Sequence, residues 1–205
     1  RRRPDYGLSH RLLLDKIDFD KGTVHIEGED HPLLDTRFDT VSPDDPFALT
    51  AAEQQVVEQL KRAFLNSEKL QKHVRFLFAK GSIYKIYNGN LLYHGCLPMD
   101  ADGTFKSLRI DGRPYAGKAL MEKFDQLARQ GFFAEEGSPE QLAGLDAMWY
   151  LSCGPCSPLF GKEKMATFER YLVDDPSTHE EPRNVYYTLR EDEATLRRIL
   201  DAFGL

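Results

Sequence analysis

The sequence predicts an α/β chain, strand-rich at its start and mostly helical after residue 46, so that the stretch as a whole is mixed α+β. Three observations carry this. Short apolar runs broken by Asp and Gly fill the first forty residues, an Asn-Gly turn sits between two alternating runs near the middle, and apolar residues recur at three- and four-residue spacing elsewhere. They divide the chain into a strand-rich segment 1–45, a helical segment 46–81, and a segment 82–205 that opens with a hairpin and continues in helices.

Leu12 to Phe19, Thr23 to Glu27 and a run near Leu33-Leu34 read as three short strands, separated by Asp20-Lys21-Gly22 and Gly28-Glu29-Asp30. Ser42-Pro43-Asp44-Asp45-Pro46 carries two prolines and is the best linker candidate. Thr50 and Glu53 form a capping-box pair ahead of Val56, Val57, Leu60, Phe64 and Leu65, so a helix starts near Ala51 and pauses at Asn66-Ser67. A second helix, with Leu70, Val74, Leu77 and Phe78 on one face, ends at Lys80, with Gly81 expected as a left-handed cap. Ile83 to Tyr87, Asn88-Gly89 and Asn90 to His94 make a type I′ hairpin. Further helices are expected from Ala116 to Gln130, capped by Gly131, and from Ser138-Pro139 through Leu142, Leu145 and Met148. Two more are expected from Lys162 to Leu172, with Met165, Phe168 and Leu172 in one stripe, and from Glu191 to Phe203, with Leu196, Ile199, Leu200 and Phe203.

Of 205 residues, 41% are hydrophobic and 29% charged, the balance of a globular chain of one or two domains. No apolar stretch approaches the roughly 18 residues that a spanning helix needs, and no apolar run follows Arg1-Arg2-Arg3-Pro4-Asp5 to make a signal peptide, so a cytoplasmic setting without a membrane partner is expected. With 27 Lys and Arg against 33 Asp and Glu, the net charge of −6 repels a polyphosphate, and nucleic acid is not an expected partner. Three cysteines fit a reducing compartment. The chain does not begin with Met, so it is expected to be trimmed or part of something longer.

Cys153-Gly154-Pro155-Cys156 has the spacing of a thioredoxin-like redox pair, yet it follows a helical run instead of a strand and leads into a loop, so two ordinary thiols are the better reading. A structural zinc site lacks its second ligand pair. His94 stands at the end of a strand with Gly95 behind it, a position from which imidazole reaches a metal or a phosphate, although a lone His is more often structural. Lys162, Lys164 and Arg170 follow a Ser-Pro-x-x-Gly loop and could clamp a phosphoryl oxygen, against the plain reading of a solvated helix face. His10, His25, His31, His73 and His179 show no ligand-like spacing and read as surface or structural residues.

Several long strings resemble the class III fructose-1,6-bisphosphatases. They are His94-Gly95-Cys96-Leu97-Pro98-Met99-Asp100, Met148-Trp149-Tyr150-Leu151 and the run from Ser157-Pro158-Leu159-Phe160-Gly161-Lys162 to Tyr171. Shorter ones include Leu12 to Ile17, Ser67 to Gln71, Arg75 to Phe78 and Tyr87 to Gly95. The resemblance implies part of a metallophosphoesterase α/β sandwich from a bacterial gluconeogenic phosphatase. That enzyme hydrolyses fructose 1,6-bisphosphate to fructose 6-phosphate and phosphate through two divalent ions, usually manganese. It makes His94 the mid-chain metal ligand and Ser157, Lys162 and Arg170 candidate substrate contacts; no catalytic acid or base is assigned. The expected partner is the small sugar bisphosphate, and a homo-oligomer stays open. None of the fifteen glycines is followed by Asp or His, and Gly89-Asn90 runs into Leu91, so the remaining metal motifs of that superfamily are missing. The expectation is therefore a stretch from the middle and later part of the enzyme, inactive alone. The rival readings are a non-catalytic interaction or regulatory module on a phosphatase scaffold, and a Cys-x-x-Cys redox protein.

Overall fold

The computed structural model describes residues 2–205 and divides them into two compact units whose chain segments interleave. One unit holds His10–Gly81 and Ala166–Glu180; the other holds Ser82–Met165 and Glu181–Leu205, with the N-terminal residues up to Ser9. Mixed helices and small antiparallel sheets make up both, as the sequence predicts. No described helix is long and apolar enough to cross a membrane.

The first unit begins with a three-stranded antiparallel meander of β1 (Ile17–Asp18), β2 (Thr23–Ile26) and β3 (Glu29–Pro32). The expected long first strand is a correction: Leu13–Lys16 winds into a 3-10 turn that buries Leu13, and only Ile17 and Asp18 pair with β2. The β2–β3 turn is Glu27-Gly28, both at positive φ, so Glu29 and Asp30 already belong to β3 and the strand ends before Leu33. Val24 and Ile26 alternate inward and close over Leu13 and Val173, with Ile17, Leu33 and Phe168 beside them. Within this unit Arg11 pairs with the wholly buried carboxylate of Glu169 at 2.5 Å.

Helices α1 (Ala51–Leu65) and α2 (Glu68–Lys80) follow, the first closed by the full Thr50–Glu53 capping box and the second by the Ser67 hydroxyl, which accepts from Leu70 N–H. Their limits match the sequence reading; their burial does not. Neither has a buried residue, and Val56, Leu60, Phe64, Phe76 and Leu77 are each more than half exposed. Gly81 is no left-handed cap: its φ is −84°, because the chain continues extended toward the next strand instead of reversing.

In the second unit β4 (Tyr84–Tyr87) and β5 (Asn90–Tyr93) form the expected hairpin, with Asn88 and Gly89 at φ 54° and 72°. A second hairpin, β6 (Leu108–Ile110) and β7 (Arg113–Tyr115), turns at Asp111-Gly112, a pair whose positive φ values suit the same turn and which the sequence reading passed over. Leu108 and Ile110 of β6 join Tyr6, Leu120, Phe124, Leu127, Ala147 and Tyr150 in one core.

That core lies along α3 (Gly117–Phe133) and α4 (Pro139–Cys153). Gly131 does not cap α3 but lies inside it, facing Gly144; a Cβ on Gly144 would stand 2.1 Å from the Gly131 nitrogen. Backbone contact at this point fixes which side of α4 faces inward. Gly144, Ala147, Tyr150 and Leu151 are buried, whereas Leu142, Leu145 and Met148, the apolar residues that marked the helix in the sequence, stay about 40% exposed.

The helix expected from Lys162 is confined to α5 (Thr167–Leu172), since Lys162 bridges Arg183 and Glu163 N–H donates to Pro182 C=O, which holds that stretch extended. The single turn α6 (Tyr186–Leu189) precedes α7 (Glu193–Phe203), capped by Asp192 at one end and left-handed Gly204 at the other. Thr195, Ile199 and Phe203 face inward from α7, while Leu196 and Leu200, expected in the same stripe, are about 40% exposed.

Gly144→Ala drives a methyl into the Gly131 backbone and should cost about 1–3 kcal/mol, the usual range for overpacking. The measurement is the urea midpoint at unchanged m-value; a variant as stable as the parent would show that the helices separate freely.

Candidate functional site

His94 follows β5 directly, and the residues behind it explain where it stands. Gly95 lies against the loop that leaves α4: a Cβ there would sit 2.3 Å from the Pro158 carbonyl oxygen, which also accepts the Cys96 N–H at 2.9 Å. Only glycine allows that approach. On the other side of His94, the Tyr93 hydroxyl meets the Tyr186 hydroxyl at 2.6 Å. Cys96, Leu97 and Met99 are then buried together with Met121, Ile199 and Phe203. The strings His94–Asp100 and Ser157–Lys162, distant in sequence, are thus one structural feature.

Ser157 is fully buried, and its hydroxyl donates to the Leu151 carbonyl at 2.6 Å while accepting the amides of Leu159 and Phe160 at 3.1 Å each. Its oxygen is committed to the loop it begins. At the loop's far end Gly161 has φ 65°, and a Cβ there would meet the Tyr187 hydroxyl at 2.5 Å. Lys162 leaves the loop to pair with Glu181 at 2.5 Å, with its ammonium 5.9 Å from the centre of the Phe160 ring.

Asn184 joins these pieces and was invisible in the sequence. Its side chain is 2% exposed and fully used: Oδ1 accepts the amides of Met99 and Tyr186 at 3.0 Å each, and Nδ2 donates to the Met99 carbonyl at 3.2 Å and to Glu163 at 3.0 Å. Glu163 in turn takes the Lys106 ammonium at 2.7 Å. An Asn between Arg183 and Val185 carries no spacing or motif, so no sequence signal could have singled it out.

The structure therefore brings His94, Ser157 and Lys162 into one unit, and places Arg170 in the other, where it donates to the His179 carbonyl. His94 itself is exposed. Among the described residues no three His, Cys, Asp or Glu side chains gather into a metal-holding group, so these residues do not by themselves fit a metal centre. Of the histidines read as structural, His25 contacts Asp30 at 2.7 Å, His31 faces Asp175 at 3.4 Å and is nearly buried, and His179 meets the Val173 carbonyl.

Cys153 ends α4 instead of lying in the loop, with its thiol turned back to the Trp149 carbonyl, and Cys156 is buried. Burial pushes both thiols above their ordinary value, the opposite of an activated thiol.

The whole chain, residues 1–205, matches the family model described as Firmicute fructose-1,6-bisphosphatase. Among curated proteins it is similar to the "Fructose-1,6-bisphosphatase class 3" of Clostridium novyi (strain NT), 52% identical over 98% of this chain. The protein of that name from Clostridium botulinum (strain Alaska E43 / Type E3) is 53% identical over 100% of it. The one from Listeria innocua is 46% identical, also over 100%. This chain spans 30% of the length of the first relative and 31% of the other two. No solved structure matches it.

Two outcomes are expected. Alkylation of Cys153 and Cys156 at pH 8 should be slower in the folded chain than in urea, as peptide mass spectrometry after timed quenching would show; equal rates would contradict the raised thiols. Asn184→Leu strips partners from the Met99 amide and carbonyl and the Tyr186 amide, and should lower stability by about 1–3 kcal/mol for each group left unpaired. Calorimetry of the variant checks this.

Proposed function

The chain belongs to the Firmicute fructose-1,6-bisphosphatase family, and from that premise we propose that it is the part of a class III fructose-1,6-bisphosphatase that supplies one metal ligand and frames it. The reaction is hydrolysis of a phosphoric monoester, fructose 1,6-bisphosphate giving fructose 6-phosphate and phosphate, in a cytoplasmic setting. The observation that carries the reading is identity of about half over the whole chain to proteins of that name. In the metallophosphoesterase reading His94 would be one ligand of a divalent ion, manganese by preference, and the chemistry supplied by such an ion would be polarisation of the phosphoryl group and activation of water. His94 is the ligand this chain offers, exposed and held at the end of β5. Since its own residues form no cluster around it, no step of the reaction is assigned to this chain alone.

Lys162 and Arg170 are proposed substrate contacts, each available after exchanging a present partner, Glu181 and the His179 carbonyl, for a phosphoryl oxygen. Ser157, with its hydroxyl committed, serves the substrate by shaping the loop that carries Lys162. The redox alternative draws no support from thiols pushed upward.

Phosphate release from fructose 1,6-bisphosphate with manganese tests this in two proteins. The chain alone should release none above the blank. A chimera in which this stretch replaces its counterpart in the Clostridium botulinum relative should be active, and His94→Ala in it should lower kcat by about 100-fold or more, since even outer-shell partners of metal ligands are worth 10–100-fold. An inactive folded chimera would sink the assignment; full activity of the His94 variant would sink the ligand.

A further inference from the structure

Two arginines near the end of the chain stand on one aromatic ring with no carboxylate beside them. The Arg183 guanidinium carbon lies 5.4 Å from the centre of the Tyr187 ring, and that of Arg190 lies 5.7 Å from it. Arginines elsewhere, such as Arg3, Arg37 and Arg129, hold an Asp side chain; among the described residues neither Arg183 nor Arg190 holds an acid. Of the acids close to them in sequence, Glu181 takes Lys162, Asp192 caps α7, and neither Glu180 nor Glu191 bonds to an arginine. The ring itself is fixed. Tyr187 meets Tyr186 edge-on at 5.3 Å, packs on the buried group that contains Cys96 and Leu97, and sets its hydroxyl over Gly161, where no side chain intervenes. That hydroxyl bonds to nothing among the described residues, and burial holds it above its ordinary value, so it stands as a donor.

The place of this group relative to His94 is set by the loop they share. Lys162 and Arg183 face each other in an antiparallel bridge, so their side chains leave the backbone on one side. Pro158, whose carbonyl meets Gly95 behind His94, and Gly161, beneath Tyr187, are three residues apart, at most about 11 Å of extended chain. A hexose bisphosphate carries its two phosphoryl groups at the ends of a six-carbon chain, a comparable span. We propose that Arg183, Arg190 and the Tyr187 hydroxyl hold the phosphoryl group of a sugar bisphosphate that is not hydrolysed, an inference that rests on the phosphatase reading above. A single carboxylate from outside would answer one guanidinium and leave the other. A phosphoryl group brings a charge of about −1.5 to −2 and three acceptor oxygens, enough for both guanidinium forks and the phenol. Guanidinium stays charged at every working pH and moves no proton, which suits a group that is held and not cleaved. In a chain of net charge −6, a surplus of cations around one ring is a feature of place and not of composition.

Calorimetry of the metal-free chain against fructose 1,6-bisphosphate reads the site without turnover. Binding is expected, with inorganic phosphate competing, and Arg183→Gln and Arg190→Gln should each weaken it about tenfold or more. Tyr187→Phe keeps the ring under both guanidiniums and should cost less than either. A chain that binds no bisphosphate, or arginine variants that bind like the parent, overturns the proposal. In the chimera with the Clostridium botulinum relative, the arginine variants should raise KM for fructose 1,6-bisphosphate about tenfold with kcat unchanged. They should weaken inhibition by fructose 6-phosphate to the same degree and leave inhibition by fructose 1-phosphate, which has no second phosphoryl group, as it was. Equal losses for the two monophosphates also overturn the proposal, since the arginines would then serve the fold or the remainder of the longer protein. An inactive chimera sinks the phosphatase reading instead, and the calorimetry still decides whether the anion site exists.

Discussion

One buried amide holds the site-bearing unit in register. Asn184 satisfies both backbone groups of Met99, one of Tyr186 and an oxygen of Glu163, and so ties the segment after His94 to the C-terminal helical turn and to the loop after Gly161. An amide is the only neutral side chain with an acceptor and two donors at one end, which is what this junction demands. Leucine would fill the space and leave three backbone groups without partners; aspartate would keep the acceptor and set a second charge beside Glu163. The Gly161–Glu163 stretch that carries Lys162 is held at the junction, since the Asn184 N–H donates to the Gly161 carbonyl and its side chain to Glu163.

Local chemistry was legible in the sequence where a few adjacent residues decide the outcome. The Thr50–Glu53 box, the Ser138 cap and the Asn88-Gly89 turn each act within three or four residues, and the elements they bound appear where expected. Orientation was not legible. Apolar periodicity marks a helix but does not say which of two apolar stripes turns inward, and on α4 the choice is made by Gly144 meeting Gly131 across two backbones, a contact that no pattern of large side chains reveals. The same limit explains Gly131, read as a stop signal because glycine has two uses: freedom at a helix end and absence of bulk in its middle.

The candidate site divides along the same line. His94 and the Ser157–Lys162 loop were found through runs of unusual neighbours, and their meeting gives a physical reason for those runs: the Gly95 backbone and the Pro158 carbonyl interlock. Arg170 lies in the other compact unit, and Asn184, Lys106 and the Tyr93–Tyr186 contact carried no signal at all, because a buried polar network is specified by distances and not by spacing in the chain. The unburied apolar faces of α1 and α2 belong with these omissions: helical periodicity was read correctly and says nothing about what, if anything, covers the stripe.

The fastening on both sides of His94 has an entropic consequence. With the Tyr93 hydroxyl tied to Tyr186 and the Cys96 amide tied to Pro158, the backbone bearing the imidazole has already surrendered its torsional freedom during folding. Any partner of that ring, the ion proposed above included, would have only the side-chain torsions left to immobilise, a cost of about 0.5–1.5 kcal/mol.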